Sequence, residues 1–403
     1  MKTRINTFLS AICLIFLLGA VAFSADIVKD GKVKEFYPNG AISALRTFKN
    51  GKLHGLSKTF YENGQDMTVG KYANDQQDGV FKSYYEDGTL YLTKDFNDGQ
   101  LDGMVKEFYP NGNLKSLEHF KKDSLHGSAE YYYENGDLRY TMNFENGVLN
   151  GISKEFYPNN ALKSEVYYKD GVWDGSIKEY HQDGWLEAEW SYHDGVKSGM
   201  SKIFFPNGQL KWKATFQDDR IEGKSLAYSE NGNLIMEADF ADNVLNGEVK
   251  EYYRDGQLRI LSNYADDKKE GLYQEFYPDG QLRLERSYQN GLEIGVSKEF
   301  HEDGALWITR SYYNEERDGS LREYYPSGEL KQAWKIEDGL LDGLSKAYYK
   351  NGQLMSEETF IKGKKNGISY YFNKDGKKLF EDRYMDGVRI ERTSFSEDNS
   401  ETP

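Results

Sequence analysis

Aromatic and leucine residues fall along this chain at a fixed 24-residue interval, fifteen times in succession, with polar and turn-forming residues between them. Each unit can be numbered from a glycine column that runs Gly31, Gly55, Gly79 and on to Gly367. Position 6 is then aromatic in all fifteen copies, from Phe36 to Phe372, and position 18 in fourteen, with Ile336 the exception. Position 7 is Tyr or Phe in eleven copies, and position 12 is leucine without a break from Leu90 to Leu354. The three aromatic columns hold 40 of the 54 Phe and Tyr residues, so the aromatic content is periodic rather than general. Two apolar-punctuated runs of six to eight residues per unit, separated by turn residues, predict a pair of β-strands. Helix is disfavoured, because glycine recurs too often and Phe, Tyr and Val favour strands.

The turn between the two runs can be specified. A second glycine column runs from Gly40 to Gly376 at position 10, broken once by Asn160, and Asn is the residue that best tolerates positive φ after glycine. Six of the seven prolines stand at position 8 (Pro38, Pro110, Pro158, Pro206, Pro278 and Pro326). A two-residue loop would require a ladder N–H from position 8, which proline lacks. A three-residue loop fits: Pro at i+1 of a type I turn, Asn, Asp or Ser at i+2, and Gly in the left-handed bulge position. The predicted register sets 7 against 11, 6 against 12 and 5 against 13. It opposes Glu107 to Lys115, Glu155 to Lys163, Glu251 to Arg259, Glu275 to Arg283 and Glu323 to Lys331. Such cross-strand pairs contribute about 0.2–1 kcal/mol each. The two-residue alternative stays open, since it would pair Lys154 with Glu165.

Strands that each pair with their sequence neighbour predict an all-β fold, an elongated single-layer antiparallel β-meander of about fifteen stacked hairpins. Positions 6, 12 and 18 are expected to share its apolar face. A β-helix-like solenoid or a closed barrel is the alternative architecture. Residues 1–24 differ from the rest: Lys2 and Arg4 precede an apolar run from Phe8 to Phe23 with small residues near its end, which predicts a secretory signal peptide. The expected location is therefore exported: periplasmic, cell-surface or secreted. Cys13 is the sole cysteine and lies inside that segment, so no disulfide is expected in the remainder. The repeat array spans 25–390, its last unit made basic by Lys362, Lys364, Lys365, Lys374, Lys377 and Lys378 in the manner of a terminal cap. Residues 391–403 read as a disordered acidic tail.

Charge narrows the partners. The chain carries 51 Lys and Arg against 66 Asp and Glu, a net charge of −15, and −17 without Lys2 and Arg4. That excess argues against nucleic acid and against anionic membrane surfaces.

The pattern GxxKEFYPNGxLK…YKDGxxDG resembles the variant form of the MORN repeat, as in YwqK-type antitoxin-like proteins. The resemblance implies a single-layer stack of hairpins used as a binding scaffold, and the antitoxin label implies a cognate cytoplasmic toxin.

Candidate chemistry is sparse. His54, His119, His126, His181, His193 and His301 show no zinc-site spacing. The loop pairs Asp98/Asp102, Asp170/Asp174 and Asp338/Asp342 lack calcium-loop spacing, and Asp-Gly is ordinary turn chemistry. Fifteen near-equivalent copies offer no singular acid–base pair, so neither catalysis, metal nor cofactor is expected. The better lead is aromatic. Tyr109, Tyr157, Tyr253, Tyr277 and Tyr325, all at position 7, are expected to line one face beside the charged residues of positions 5 and 13. Trp190 and Trp212 are expected to pack on the apolar face, whereas Trp173, read as a loop residue, and Trp185, beside a turn, are candidates for a contact patch. The function expected is protein–protein binding along an aromatic sheet face, with glycan or cell-wall binding as the alternative because stacked rings suit sugars.

Stability of such an array is a nearest-neighbour sum. Deleting one whole 24-residue unit should leave cooperative unfolding intact, whereas deleting 12 residues should abolish it, as followed by far-UV circular dichroism in urea.

Overall fold

A computed structural model describes residues 30–312 and 318–395. The expected signal segment at 1–24, with Cys13, lies outside the described residues, as do 396–403. The described residues hold 37 strands and no helix, in an open meander whose sequence neighbours pair antiparallel, which excludes a parallel coil. The count exceeds the thirty expected because six strands break into a two-residue piece and a six-residue piece, as at Lys52–Leu53 and Gly55–Phe60, and because a last strand, Val388–Ser394, is added. That strand pairs with Lys378–Met385, so the ordered chain runs through 391–394, where a disordered tail was expected. Backbone pairing outweighs polar composition there.

The chain divides into two compact units, residues 1–138 with 144–147 and residues 139–143 with 148–403. In the first, hairpins such as Gln76–Tyr84 with Leu90–Asn97 and Gln100–Phe108 with Leu114–Lys121 follow one another. The second repeats the arrangement from Gly151–Phe156 and Leu162–Lys169 to Gly367–Phe372 and Lys378–Met385.

The hairpin loop is the three-residue one. The Gly40 N–H donates to the Tyr37 carbonyl at 2.9 Å and the Tyr37 N–H to the Ala41 carbonyl at 2.8 Å, with Gly40 at φ 87°. Asn160 takes the same place at φ 65°. Position 6 faces 12, as Phe156 faces Leu162. The register then changes: Glu155 faces Ser164 and Lys154 faces Glu165, so position 5 faces 14 and not 13. Position 13 is a bulge residue, one extra on the return strand. Both pairings anticipated from sequence therefore occur in a single hairpin. The Lys163 Nζ still reaches the Glu155 Oε1 at 2.8 Å, Lys115 reaches Glu107 and Lys331 reaches Glu323 at 2.7 Å, and Arg259–Glu251 and Arg283–Glu275 also close. Lys154 and Glu165 pair at 3.2 Å.

The bulge decides which side is buried. Beyond it positions 14, 16 and 18 join 1, 3 and 5 on one face, while 6 and 12 fall with 2, 4, 15 and 17 on the other. Positions 6, 12 and 18 do not share a face, contrary to expectation, because one inserted residue reverses side-chain parity. Among the described residues every buried one lies on the first face, as Ala129 and Ser201 at position 3, Ala188 and Leu284 at 14, Ala214 and Ala238 at 16, and Phe144 and Tyr168 at 18. Position 6, by contrast, leaves Phe36 60% exposed.

The second turn is a two-residue one: Lys49 faces Lys52 across Asn50 at φ 54° and Gly51 at φ 75°. Where Asp replaces that glycine its carboxylate gains a partner, as Asp75 Oδ1 accepts from the Leu53 N–H at 2.8 Å and Asp123 from Leu101 at 2.7 Å. The first glycine column marks a wider bulge. Lys94 faces Val105 and Phe96 faces Leu101, so three residues including Gly103 stand opposite Asp95 alone. Gly103 sits at φ 132°, and a Cβ there would lie 2.7 Å from the Asp95 Cβ. The carbonyl after this bulge is taken by a position-17 side chain, as Thr47 Oγ1 donates to Leu56 at 2.8 Å and Asn143 Nδ2 to Ile152 at 2.7 Å.

In the first unit Gly70 at position 16 lies under the Phe81 ring, which packs edge-on to Tyr72 and Phe96 at 5.2 and 5.3 Å. A Cβ on Gly70 would meet that ring at 2.2 Å. Gly70→Ala should therefore destabilise by about 1–3 kcal/mol through overpacking, read as a lowered urea midpoint. An unchanged midpoint would mean that Phe81 swings clear.

Candidate interaction surface

The position-7 tyrosines are ties between repeats. Each phenol donates to the position-6 carbonyl of the following repeat, 23 residues on: Tyr109 to Tyr132 at 2.9 Å, Tyr157 to Tyr180 at 3.0 Å, Tyr253 to Phe276 at 2.7 Å, Tyr277 to Phe300 at 2.8 Å and Tyr325 to Tyr348 at 2.9 Å. Their rings are half-buried and lie toward the buried face, near the charged pairs of positions 5 and 13, with Lys115 and Lys163 about 6 Å from the Tyr109 and Tyr157 ring centres. The adjacent asparagine adds a second tie, as Asn111 Nδ2 donates to the Glu134 carbonyl at 2.9 Å and Asn351 to Lys374 at 3.0 Å.

Trp173 is not in a loop. It lies in the strand Val172–Tyr180, faces Tyr168 across the two-residue turn and sets its ring edge-on to Tyr192 at 5.0 Å. The wide bulge prolongs that strand to the turn, which glycine spacing alone conceals. Trp185 does stand beside a turn, where it stacks on His181 at 5.1 Å. His301, which likewise replaces the tyrosine of position 7, stacks on Trp307 at 5.3 Å. Trp190 and Trp212 belong to the buried face, the indole N–H of the first donating to Glu179 at 3.0 Å and of the second to Ser225 at 2.8 Å. Lys197 closes over Trp190 and its neighbours, its Nζ 3.8 Å from the Trp190 ring centre, 5.8 Å from that of Tyr192 and 4.8 Å from that of Phe216, and burial lowers its pKa. This aromatic patch is already occupied by the chain's own cation. Asp174, His193 and Asp194 bring ligand atoms within 4.8 Å of one another, a grouping that separated glycine columns hid. The imidazole lies 3.7 Å from Asp174 and 3.6 Å from Asp194, and it is 70% exposed.

The other face carries a feature that sequence reasoning missed. Position 2 holds Leu56, Val80, Met104, Ile152, Met200, Leu272, Val296, Leu344 and Ile368, each between 36% and 51% exposed. The signal was present as an apolar column immediately after the first glycine column, but without the strand parity its side was unknown. Position 4 beside it is lysine in ten of the fifteen copies, Lys34 to Lys346. Apolar and cationic rows thus run side by side across the strands.

Glu118 is a buried carboxyl whose shift runs upward. It sits on the buried face of the first unit, 6% exposed, opposite Val105 and Ala129. Burial holds its carboxyl above the usual glutamate range, only partly offset by the hydroxyl that Tyr131 donates to it, and the Tyr131 phenol is raised in turn by burial and by Glu118.

Twelve segments match the family described as MORN repeat variant: residues 29–50, 53–65, 77–98, 101–122, 125–146, 149–170, 173–194, 221–242, 245–266, 269–290, 317–334 and 341–362. They cover more than half of the 403 residues. The chain belongs to this family. As a MORN repeat variant protein it is a repeat scaffold; the match is to the family as a whole and does not single out the YwqK-type proteins. No curated protein matches it. Among solved structures it is similar to a chain of the crystal structure of TcdB2-TccC3-Cdc42, at 10% identity and a TM-score of 0.16, over 90% of this chain and 26% of that one. A chain of the Photorhabdus luminescens Tc holotoxin pore gives 10% identity and a TM-score of 0.15, over 88% and 25%. The MORN repeat chain thus spans about a quarter of those chains.

Because the folded-state pKa of Glu118 is raised, its protonation favours the fold, and that contribution is lost as pH rises through the folded value. Glu118→Gln should unfold at higher urea than the parent at pH 7, and the gap should close as pH falls into the carboxylate range. A gap independent of pH would show that Glu118 is already protonated or fully compensated.

Proposed function

We propose that this chain is an exported, non-enzymatic scaffold that binds a protein partner across its sheet. The observation that carries the reading is the column of exposed apolar residues at position 2 in nine of the fifteen copies, because exposed apolar residues gathered on one face mark interaction sites. Trp173, Trp185 and the ring edges of Tyr109, Tyr157, Tyr253, Tyr277 and Tyr325 lie toward the opposite face and form a second, separate candidate contact surface. Export rests on Lys2 and Arg4 ahead of the apolar run from Phe8 to Phe23. Fifteen near-equivalent copies favour repeated contacts over a single catalytic constellation. Glycan binding stands second: the stacked His181–Trp185 and His301–Trp307 pairs favour it, but one face of each indole is already covered.

The test is affinity capture from envelope extract on the full chain. A single saturable protein should be retained, and replacing Leu56, Val80, Met104, Leu272, Val296 and Leu344 by serine should weaken its capture by about tenfold or more. Retention of wall fragments alone would put the glycan reading first, and no retention would sink the scaffold reading.

A further inference from the structure

The two units differ on the face that carries the apolar column. In the first, position 15 is Leu45, Val69, Thr93 and Leu117, set opposite Lys34, Lys58, Lys82 and Lys106. Lys58 is held by Asp66 at 2.8 Å. Among the described residues Lys71, Lys82 and Lys106 make no ion pair. In the second unit glutamate takes position 15 in six copies and neutralises lysines there, as in Lys154–Glu165 and Lys202–Glu189 at 3.2 Å, Lys298–Glu285 at 2.9 Å and Lys346–Glu357 at 3.1 Å, while Thr141, Lys213, Leu261, Thr309 and Ala333 interrupt the column. Beside the unneutralised lysines run Leu56, Val80 and Met104 in three consecutive repeats, 43%, 51% and 42% exposed. Asp95, opposite Val80, is the one acid among positions 2, 4, 15 and 17 from Leu56 to Leu117. A chain of net charge −15 thus presents, among the described residues, one run of three consecutive exposed apolar position-2 residues beside unpaired lysines, and it lies in the first unit. A hollow of about 460 Å³ opens on it, lined by Leu56, Lys58, Asp66, Val69, Val80 and Lys82.

We propose that this strip docks an acidic amphipathic α-helix of a partner protein, a deepening that rests on the scaffold reading above. Charge complementarity supplies the acidic character. Spacing supplies the helix. Equivalent residues of consecutive repeats lie two strands apart, about 9.6 Å, close to the roughly 10.5 Å rise of seven helical residues. A helix lying across the strands therefore meets Leu56, Val80 and Met104 with one apolar residue per heptad. An extended peptide falls out of step, since its same-side residues recur at about 6.6 and 13 Å. A polyproline turn of about 9 Å keeps step, but such segments are recognised by aromatic-lined grooves, and this row is Leu, Val and Met. The lysine row lies two residues along each strand, about 6.6 Å away, within reach of carboxylates on the helix flank.

The test uses the full chain and a synthetic helical peptide of about four heptads, with leucine every seventh residue and flanking glutamates, read by fluorescence anisotropy. Binding should weaken with salt. Lys82→Glu with Lys106→Glu should cost about tenfold or more in affinity and flatten the salt dependence. Leu56→Ser, Val80→Ser and Met104→Ser together should do the same to affinity, whereas Leu272→Ser, Val296→Ser and Leu344→Ser should change it less than about twofold. Absence of binding, equal loss from both triple variants, tighter binding of a proline-rich peptide, or competition by vesicles of phosphatidylcholine and phosphatidylglycerol would overturn the proposal. A native partner still captured by the Lys82→Glu, Lys106→Glu chain would refute this strip while leaving the scaffold reading intact.

Discussion

One extra residue at position 13, repeated from hairpin to hairpin, governs the rest of this sheet. A strand alternates its side chains strictly, so inserting a single residue into the return strand transfers everything beyond it to the opposite side. The aromatic column at 18 is thereby moved onto the face of positions 1, 3 and 5, where small residues such as Ala129, Ser201, Ala188 and Ala214 let its rings lie close to the backbone. Leucine 12 and aromatic 6 are left on the opposite side, half in solvent, together with the lysines of position 4. The bulge also explains how Glu155 reaches Lys163 at position 13 while Lys154, one residue earlier, reaches Glu165 at position 15.

Within each unit, cohesion between hairpins is divided among three places. Along the strands it is the ladder itself. At the three-residue loops it is the tyrosine phenol of position 7 and the asparagine amide of position 9, each donating to a main-chain carbonyl of the next repeat, as Tyr109 and Asn111 do. At the two-residue turns it is the carboxylate or amide of Asp75, Asp123, Asp219 or Asn243, which caps a main-chain N–H of the preceding repeat. A neutral hydrogen bond of this kind contributes about 0.5–1.5 kcal/mol net. Because the contacts are nearest-neighbour, they accumulate in proportion to repeat number without requiring a thick core.

The two units share this construction and differ in surface chemistry. Where glutamate stands at position 15 of the second unit, at Glu165, Glu189, Glu285 and Glu357, it pairs with a lysine of position 4 and offsets its charge, each pair of small worth in solvent. Leu45, Val69, Thr93 and Leu117 leave the first unit's row cationic and apolar. A scaffold built from near-identical units thus acquires a distinct surface through one column, with no change in backbone.

The amino-acid sequence by itself determined the period, the strand pair, the three-residue loop with its glycine or Asn160, and the charge pairs from Glu107–Lys115 to Glu323–Lys331. Each of these is a local matter of backbone conformation or of residues a few positions apart. What only the tertiary structure decided was sidedness and partnership. No residue type signals the bulge at 13, since Lys163, Ile235 and Trp307 all occupy it, and without it the burial of 18 apart from 6 and 12 cannot be read. The engagement of Tyr157 depends on the Tyr180 carbonyl, which every residue possesses and which therefore leaves no trace in sequence. Trp173 read as a loop residue because the wide bulge at Gly175 carries the strand to the turn, and the exposed column from Leu56 to Ile368 was visible as a pattern but had no side until the parity was known.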